Sequence, residues 1–138
     1  MDSTPITEAD LLKMPTKQYM NQVQLAFFRD RLLALKREIA QNASATSDNL
    51  RSTEFQIDPS DRATQEEEHS IELRVRDRER KLLRKIDQAL ARIDDGSYGY
   101  CEETGEPIGL RRLLARPTAT LSVEAQQRRE RRERVYAG

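Results

Sequence analysis

Two apolar seams, each set among charged residues, run through the chain. In the first, Leu25, Phe28, Leu32, Leu35 and Ile39 follow a 3-4-3-4 spacing. That spacing lays one narrow stripe along a helix, which is expected to begin near Asn21. Past Ile39 the stripe thins to Ala43, Ala45 and Leu50. The helix is still expected to reach about Ser52, because so long a loop is unusual inside a domain and the partner arm reads as helix. The second seam is traced by Ile71, Val75, Leu82, Ile86, Ala89 and Ile93, with Arg78 on the step between Val75 and Leu82. Asp61 to Asp95 contains neither Gly nor Pro. Between the arms, Thr53 to Ser60 reads as a turn: Pro59 drives Asp58 out of the α region, and Asp58 or Ser60 can cap the second arm. Leu83 and Leu90 widen the apolar face near the end of that arm, so a third element is expected to pack there. The pattern predicts an all-α fold: a long antiparallel coiled-coil hairpin over residues 21–95, with its tip near 53–62, rising from a small globular base.

The flanks supply that base. Over residues 1–20, Thr7 can cap a short helix from Glu8 to Met14, Pro15 stops it, and Thr16 to Met20 is a connector. Gly96 suits a left-handed cap for the second arm. Over residues 96–138, the stretch Ser97 to Gly109 is turn-rich, with three glycines and a proline. Leu110 to Leu114 reads as a helical turn broken by Arg116-Pro117. Ser122 reads as the start of a capping box for a final helix, whose body begins at Ala125.

Composition sharpens this picture. Hydrophobic residues make up 36% and charged residues 35%, which favours long solvated helices over a compact globule. Formal net charge is +0, so bulk charge argues for neither nucleic acid nor membrane. The charges are sorted instead. Asp58, Asp61, Glu66, Glu67, Glu68 and Glu72 precede Arg74, Arg76, Arg78, Arg80, Lys81, Arg84 and Lys85. A single cysteine, no apolar run near a membrane span and no secretory pattern at the N-terminus lead us to expect a cytoplasmic protein.

Three places carry candidate chemistry. Asp58 and Asp61, three residues apart across a turn, can approach a hard divalent cation or accept hydrogen bonds from a partner, or they can simply serve the turn and the helix cap. Arg78, Leu82 and Lys85 alternate cation, apolar contact, cation. They form either part of a solvated face or a strip suited to a phosphate-bearing ligand held against a partner. Cys101-Glu102-Glu103-Thr104, flanked by glycines, has the outline of a zinc knuckle whose second half would be Ser122 to Ala125. A structural zinc needs four ligands, and only Cys101 qualifies. Thr104 and Ser122 are poor ligands, Ala125 is none, and His69 reads as a solvated residue on the arm. No metal is expected there. Tyr98, Tyr100, Ile108, Leu110, Leu113, Leu121 and Val123 are expected to hold the segment, with Cys101 a small residue or a redox sensor. One His and no phosphate-cradling glycine loop leave no nucleophilic constellation, so an enzyme is not expected.

At DPSDRATQEEE, RVRDRERKLLRKI, GYCEETGEPIGLRRLLARPTATL and the closing AG, the chain resembles the TraR/DksA family, over roughly Tyr19 to Gly138. The family's zinc cysteines fall at Cys101, Thr104, Ser122 and Ala125, so the resemblance is to its zinc-independent members. It implies a factor that binds bacterial RNA polymerase and inserts its hairpin into the secondary channel. There it would destabilise open promoter complexes and act with ppGpp in the stringent response. It places Asp58, Asp61 and Ala63 at the tip near the polymerase active centre. It gives Arg78, Leu82, Lys85 and Arg116 as this chain's share of a ppGpp site, with Gln126 where the family usually has Lys. It implies no cofactor beyond that effector. A monomer without membrane or sequence-specific DNA contacts is expected. The alternatives are a Gre-like transcript-cleavage factor and a structural coiled-coil adaptor.

Overall fold

The computed structural model describes residues 6–54 and 62–137, and the side-chain surroundings of 6–43 and 63–136 among them. Of the expected tip, residues 55–61, with Asp58 and Asp61, lie outside the described residues, while Thr53 and Glu54, expected in the turn, are helical. The elements in order are α1 (Glu8–Leu12), a 3-10 turn (Thr16–Gln18), α2 (Gln22–Glu54), α3 (Arg62–Asp95), α4 (Leu110–Ala115) and α5 (Val123–Ala137). The described residues contain no strand, only an isolated bridge between Tyr100 and Pro107. The all-α expectation holds.

Local chemistry sets the helix starts. Thr7 Oγ1 accepts from the Asp10 N–H at 3.1 Å, and the Thr7 N–H donates back to the Asp10 carboxylate at 3.3 Å, a closed capping box. The helix ends at Leu12, short of the expected Met14. At the start of α2, Asn21 Oδ1 accepts from the Gln24 N–H at 2.9 Å, and Gln24 Oε1 accepts from the Met20 N–H at 2.8 Å. This arrangement holds Met20 at φ 56, a left-handed conformation uncommon outside glycine. Phe28, Leu32 and Ile39 are buried as the first seam requires, and Leu25 and Leu35 are half-buried.

The chain forms two compact units, Met1–Leu32 with Gln88–Gly138, and Leu33–Asp87. In the first, Arg29 pairs with Asp94; in the second, Lys36 Nζ lies 2.8 Å from Asp87 Oδ1. From one pair to the other α2 advances by one heptad and α3 retreats by one. Each unit thus has its own ion pair joining α2 to α3, as an antiparallel hairpin requires.

The seam of α3 differs from the expected one. Its inward positions are Gln65, His69, Glu72, Arg76, Glu79, Leu83, Ile86, Leu90 and Ile93, a sustained 4-3 repeat of buried and half-buried residues. Ile71, Val75 and Leu82 are instead 54%, 41% and 39% exposed. Arg78 is exposed as well, and His69 is half-buried rather than solvated. The reason is phase. Leu83, Ile86, Leu90 and Ile93 anchor the apolar end of the helix. A 3.5-residue period carried back from them lands on Glu79, Arg76 and Glu72. Ile71, Val75 and Leu82 belong to the neighbouring phase, one residue away. The helix therefore buries polar groups and exposes apolar ones over this stretch. Glu72 and Glu79 each keep one carboxylate oxygen buried without a partner.

In the first unit the core gathers Leu11, Phe28, Leu32, Ile93, Tyr98, Ile108, Leu113, Leu121 and Ala125. The Phe28 and Tyr98 rings lie 5.6 Å apart, and Arg31 ties α2 to Glu8 of α1 at 2.6 Å. Val123, expected in this core, is 47% exposed.

Candidate functional site

Gly96 at φ 85 ends α3, and the N–H groups of Ser97 and Tyr98 both reach the Arg92 carbonyl, at 3.0 and 3.2 Å. The knuckle-like segment follows. Cys101 N–H donates to Glu106 O and Gly105 N–H to Cys101 O, both at 2.8 Å, which closes the turn on itself. Glu102 N–H donates to Thr120 O at 2.9 Å and ties that turn to the strand of chain before α5. Tyr19 Oη donates to Gly99 O at 2.6 Å and accepts from Gly109 N–H at 2.9 Å; burial pushes its pKa up. Tyr98 Oη donates to Pro117 O at 2.8 Å, and burial raises it too. Ion pairs secure the outside: Arg92 with Glu102, and Glu103 with Arg129 at 3.2 Å. Tyr98, Ile108, Leu113 and Leu121 are buried as expected, while Tyr100 and Leu110 are half-buried.

Cys101 is 3% exposed. Burial pushes its thiol up. Hydrogen bonds from the Thr104 hydroxyl and from the backbone N–H groups of Ser122, Thr104 and Glu103 outweigh that and bring it down to about 6. The other three knuckle positions do not supply a zinc donor set. Ala125 is fully buried and has no ligand atom, and Ser122 Oγ accepts from the Ala125 N–H at 3.2 Å. Thr104 Oγ1 accepts from the Glu106 N–H at 3.2 Å. One thiolate and two hydroxyls already engaged as caps do not fit a tetrahedral zinc. Among the described residues no three of His, Cys, Asp and Glu cluster as metal ligands. Ser122 caps α5, but Ala125 cannot complete the expected capping box.

The second candidate surface lies on α3. Ile71, Val75, Arg78, Leu82 and Lys85 repeat at 4-3-4-3 on one exposed face, about a quarter turn from the seam. Arg78 and Lys85 make no ion pair among the described residues, whereas Lys81 is held by Asp77 at 3.3 Å. The stripe thus interleaves exposed aliphatic side chains with two cations that have no ion pair among the described residues. Ala63, the one described member of the expected tip set, is exposed in the first turn of α3. Arg116 is exposed just after α4, in the unit of Met1–Leu32 with Gln88–Gly138, whereas Arg78, Leu82 and Lys85 belong to the unit of Leu33–Asp87. Sequence reasoning placed Ile71, Val75 and Leu82 in the buried seam, whereas the structure exposes all three. The signal that separates the two faces is the phase set by Ile86 and Ile93.

Among the described residues no helix is long and apolar enough to cross a membrane. Two family models match the chain: the N-terminal domain of DnaK suppressor protein DksA over residues 24–93, and the prokaryotic dksA/traR C4-type zinc finger over residues 96–131. The chain is 55% identical over 132 residues to the RNA polymerase-binding transcription factor DksA of Caulobacter vibrioides, covering 95% of this chain and 93% of that one. It is 46% identical over 125 residues to the protein of the same name from Escherichia coli K12, covering 90% and 83%. The solved structure of transcription factor DksA2 from Pseudomonas aeruginosa superposes with a TM-score of 0.86 at 50% identity, covering 93% of this chain and 99% of that one.

Proposed function

The chain belongs to the TraR/DksA family, and on that premise we propose that it is a bacterial RNA polymerase-binding transcription factor, not an enzyme, acting through the polymerase secondary channel. Its relatives are named as RNA polymerase-binding transcription factors. The observation that carries the reading is the outward stripe of α3. A free hairpin gains nothing by exposing Ile71, Val75 and Leu82 while burying Glu72 and Glu79. A hairpin that must offer a contact face to a channel wall does.

In this reading α2 and α3 enter the channel, and Asp58 and Asp61, with Ala63 behind them, reach towards the active centre. They destabilise the open promoter complex by binding its competing state more tightly, and they shift the equilibrium by that difference alone. Promoters with short-lived open complexes, such as those for ribosomal RNA, respond most. Arg78 and Lys85 offer charge-assisted contacts to the phosphates of ppGpp with Leu82 between them, and Arg116 adds a separate contact. The factor works without zinc, as the donor set around Cys101 supports. Run-off transcription from a ribosomal RNA promoter, with purified polymerase and a strong zinc chelator, tests this. Inhibition that survives the chelator and deepens with ppGpp is expected. Inhibition abolished by chelation would overturn the zinc-independent reading. Hydrolysis of backtracked RNA in place of inhibition would identify a cleavage factor instead.

A further inference from the structure

The unit formed by Met1–Leu32 and Gln88–Gly138 holds a cleft of about 1010 Å³, which shares only Arg116 with the proposed ppGpp contacts. It opens between the end of α1, the Tyr19–Tyr100 edge-to-face pair and α4. Its size is that of a small-molecule site. Three observations give the chemistry of its occupant.

The first is charge. Lys17, Arg111, Arg112 and Arg116 line the cleft and no acid does. Arg112 Nε is committed to the Leu121 carbonyl at 3.0 Å, but Lys17, Arg111 and Arg116 make no ion pair among the described residues. In a chain with as many acids as bases, an all-cationic lining is a departure. The second is apolar surface. Leu12 and Val123, 41% and 47% exposed, both face this cleft, beside Pro107 and Ile108. The third is Gln24. It lines the cleft, is fully buried, and directs its side-chain Nε2 at the Met14 sulfur, 3.3 Å away. A thioether is a weak acceptor for an amide with two N–H groups to place. A ligand oxygen is a better one.

We propose that this cleft binds a small organic anion with an apolar body. The body lies against Leu12, Val123 and Pro107. The anionic group is met by Lys17 and Arg111 through charge-assisted hydrogen bonds, and an oxygen of the ligand gives Gln24 the acceptor that Met14 supplies poorly. The residues that carry it, Leu12, Lys17, Gln24, Arg111 and Val123, lie outside both the α3 stripe and the proposed ppGpp contacts, so it is tested separately from the polymerase reading.

The test is a titration of the isotope-labelled full chain with octanoate, octanol and octylamine at fixed ionic strength, followed by amide resonances. Octanoate is expected to saturate and to move the amides of Leu12, Gly109, Leu110 and Val123 and the side-chain amide of Gln24. Octanol is expected to bind about tenfold more weakly, and octylamine no better than octanol. Lys17→Gln with Arg111→Gln is expected to weaken octanoate about tenfold while the spectrum keeps its dispersion. Leu12→Ala is expected to weaken octanoate and octanol alike. Equal affinity for octylamine, shifts confined to the exposed stripe of α3, or no saturable shift at the cleft would each overturn the proposal.

Discussion

At the scale of single residues, the knuckle-like turn is closed by backbone hydrogen bonds, Cys101 N–H to Glu106 O and Gly105 N–H to Cys101 O. Gly99 is held at φ 90, and a Cβ on it would stand 2.6 Å from Met20 Sδ and 3.2 Å from Tyr19 Oη. Gly99→Ala therefore combines backbone strain with a steric clash against a buried hydrogen bond. It should lower unfolding free energy by about 2 kcal/mol or more, read from chemical denaturation. Cys101 gives a pH prediction. Its folded value of about 6 lies below the ordinary 9.0, so the thiolate form is favoured in the fold. Its stabilising effect is complete above about pH 9 and disappears as pH falls to about 6. The melting temperature of the native chain minus that of Cys101→Ser should therefore widen by several degrees from pH 6 upward. A flat difference would mean that the thiol is not depressed. One part of this was legible beforehand: of the four knuckle positions only Cys101 carries a zinc-type ligand. The N–H cradle was not legible, because it depends on backbone amides of Thr104 and Ser122 brought together only by folding.

At the scale of elements, α3 carries the lesson. Its existence and length were readable from helix formers and from Gly96, which ends it. Its rotation was not. Ile71, Val75 and Leu82 form a credible seam, and only the burial of Ile86 and Ile93 decides between two phases one residue apart. A partner outside the chain explains the choice better than the stability of the hairpin does. The two sides of the helix should then respond oppositely to substitution. Glu72→Leu with Glu79→Leu replaces half-buried, partly unpaired carboxylates by apolar contact and should stabilise the chain by about 1–2 kcal/mol per site. Ile71→Glu with Val75→Glu should leave stability within about 0.5 kcal/mol and reduce affinity for RNA polymerase about tenfold or more. Thermal melts and a polymerase binding titration on both pairs decide it. A large loss of stability in the second pair would return Ile71 and Val75 to the seam.

At the scale of the whole molecule, binding and effect are assigned to different residues, and this makes the proposed mechanism separable. In that proposed mechanism the α3 stripe supplies contact, and Asp58 and Asp61 supply the consequence. If the tip carboxylates only bias promoter states, removing their charge costs little affinity, because their interaction is made differently in the two states and not with the channel wall. Asp58→Asn with Asp61→Asn should therefore bind polymerase nearly as the native chain does and fail to inhibit a ribosomal RNA promoter. Arg78→Ala or Lys85→Ala should behave in another way, inhibiting alone but responding about tenfold more weakly in a ppGpp titration, since each removes a charge-assisted phosphate contact. Binding and transcription measured on the same preparations distinguish the two classes. Loss of binding in the double Asn variant would make the tip an anchor. An unchanged ppGpp response in both cation variants would move the effector site off this face of α3.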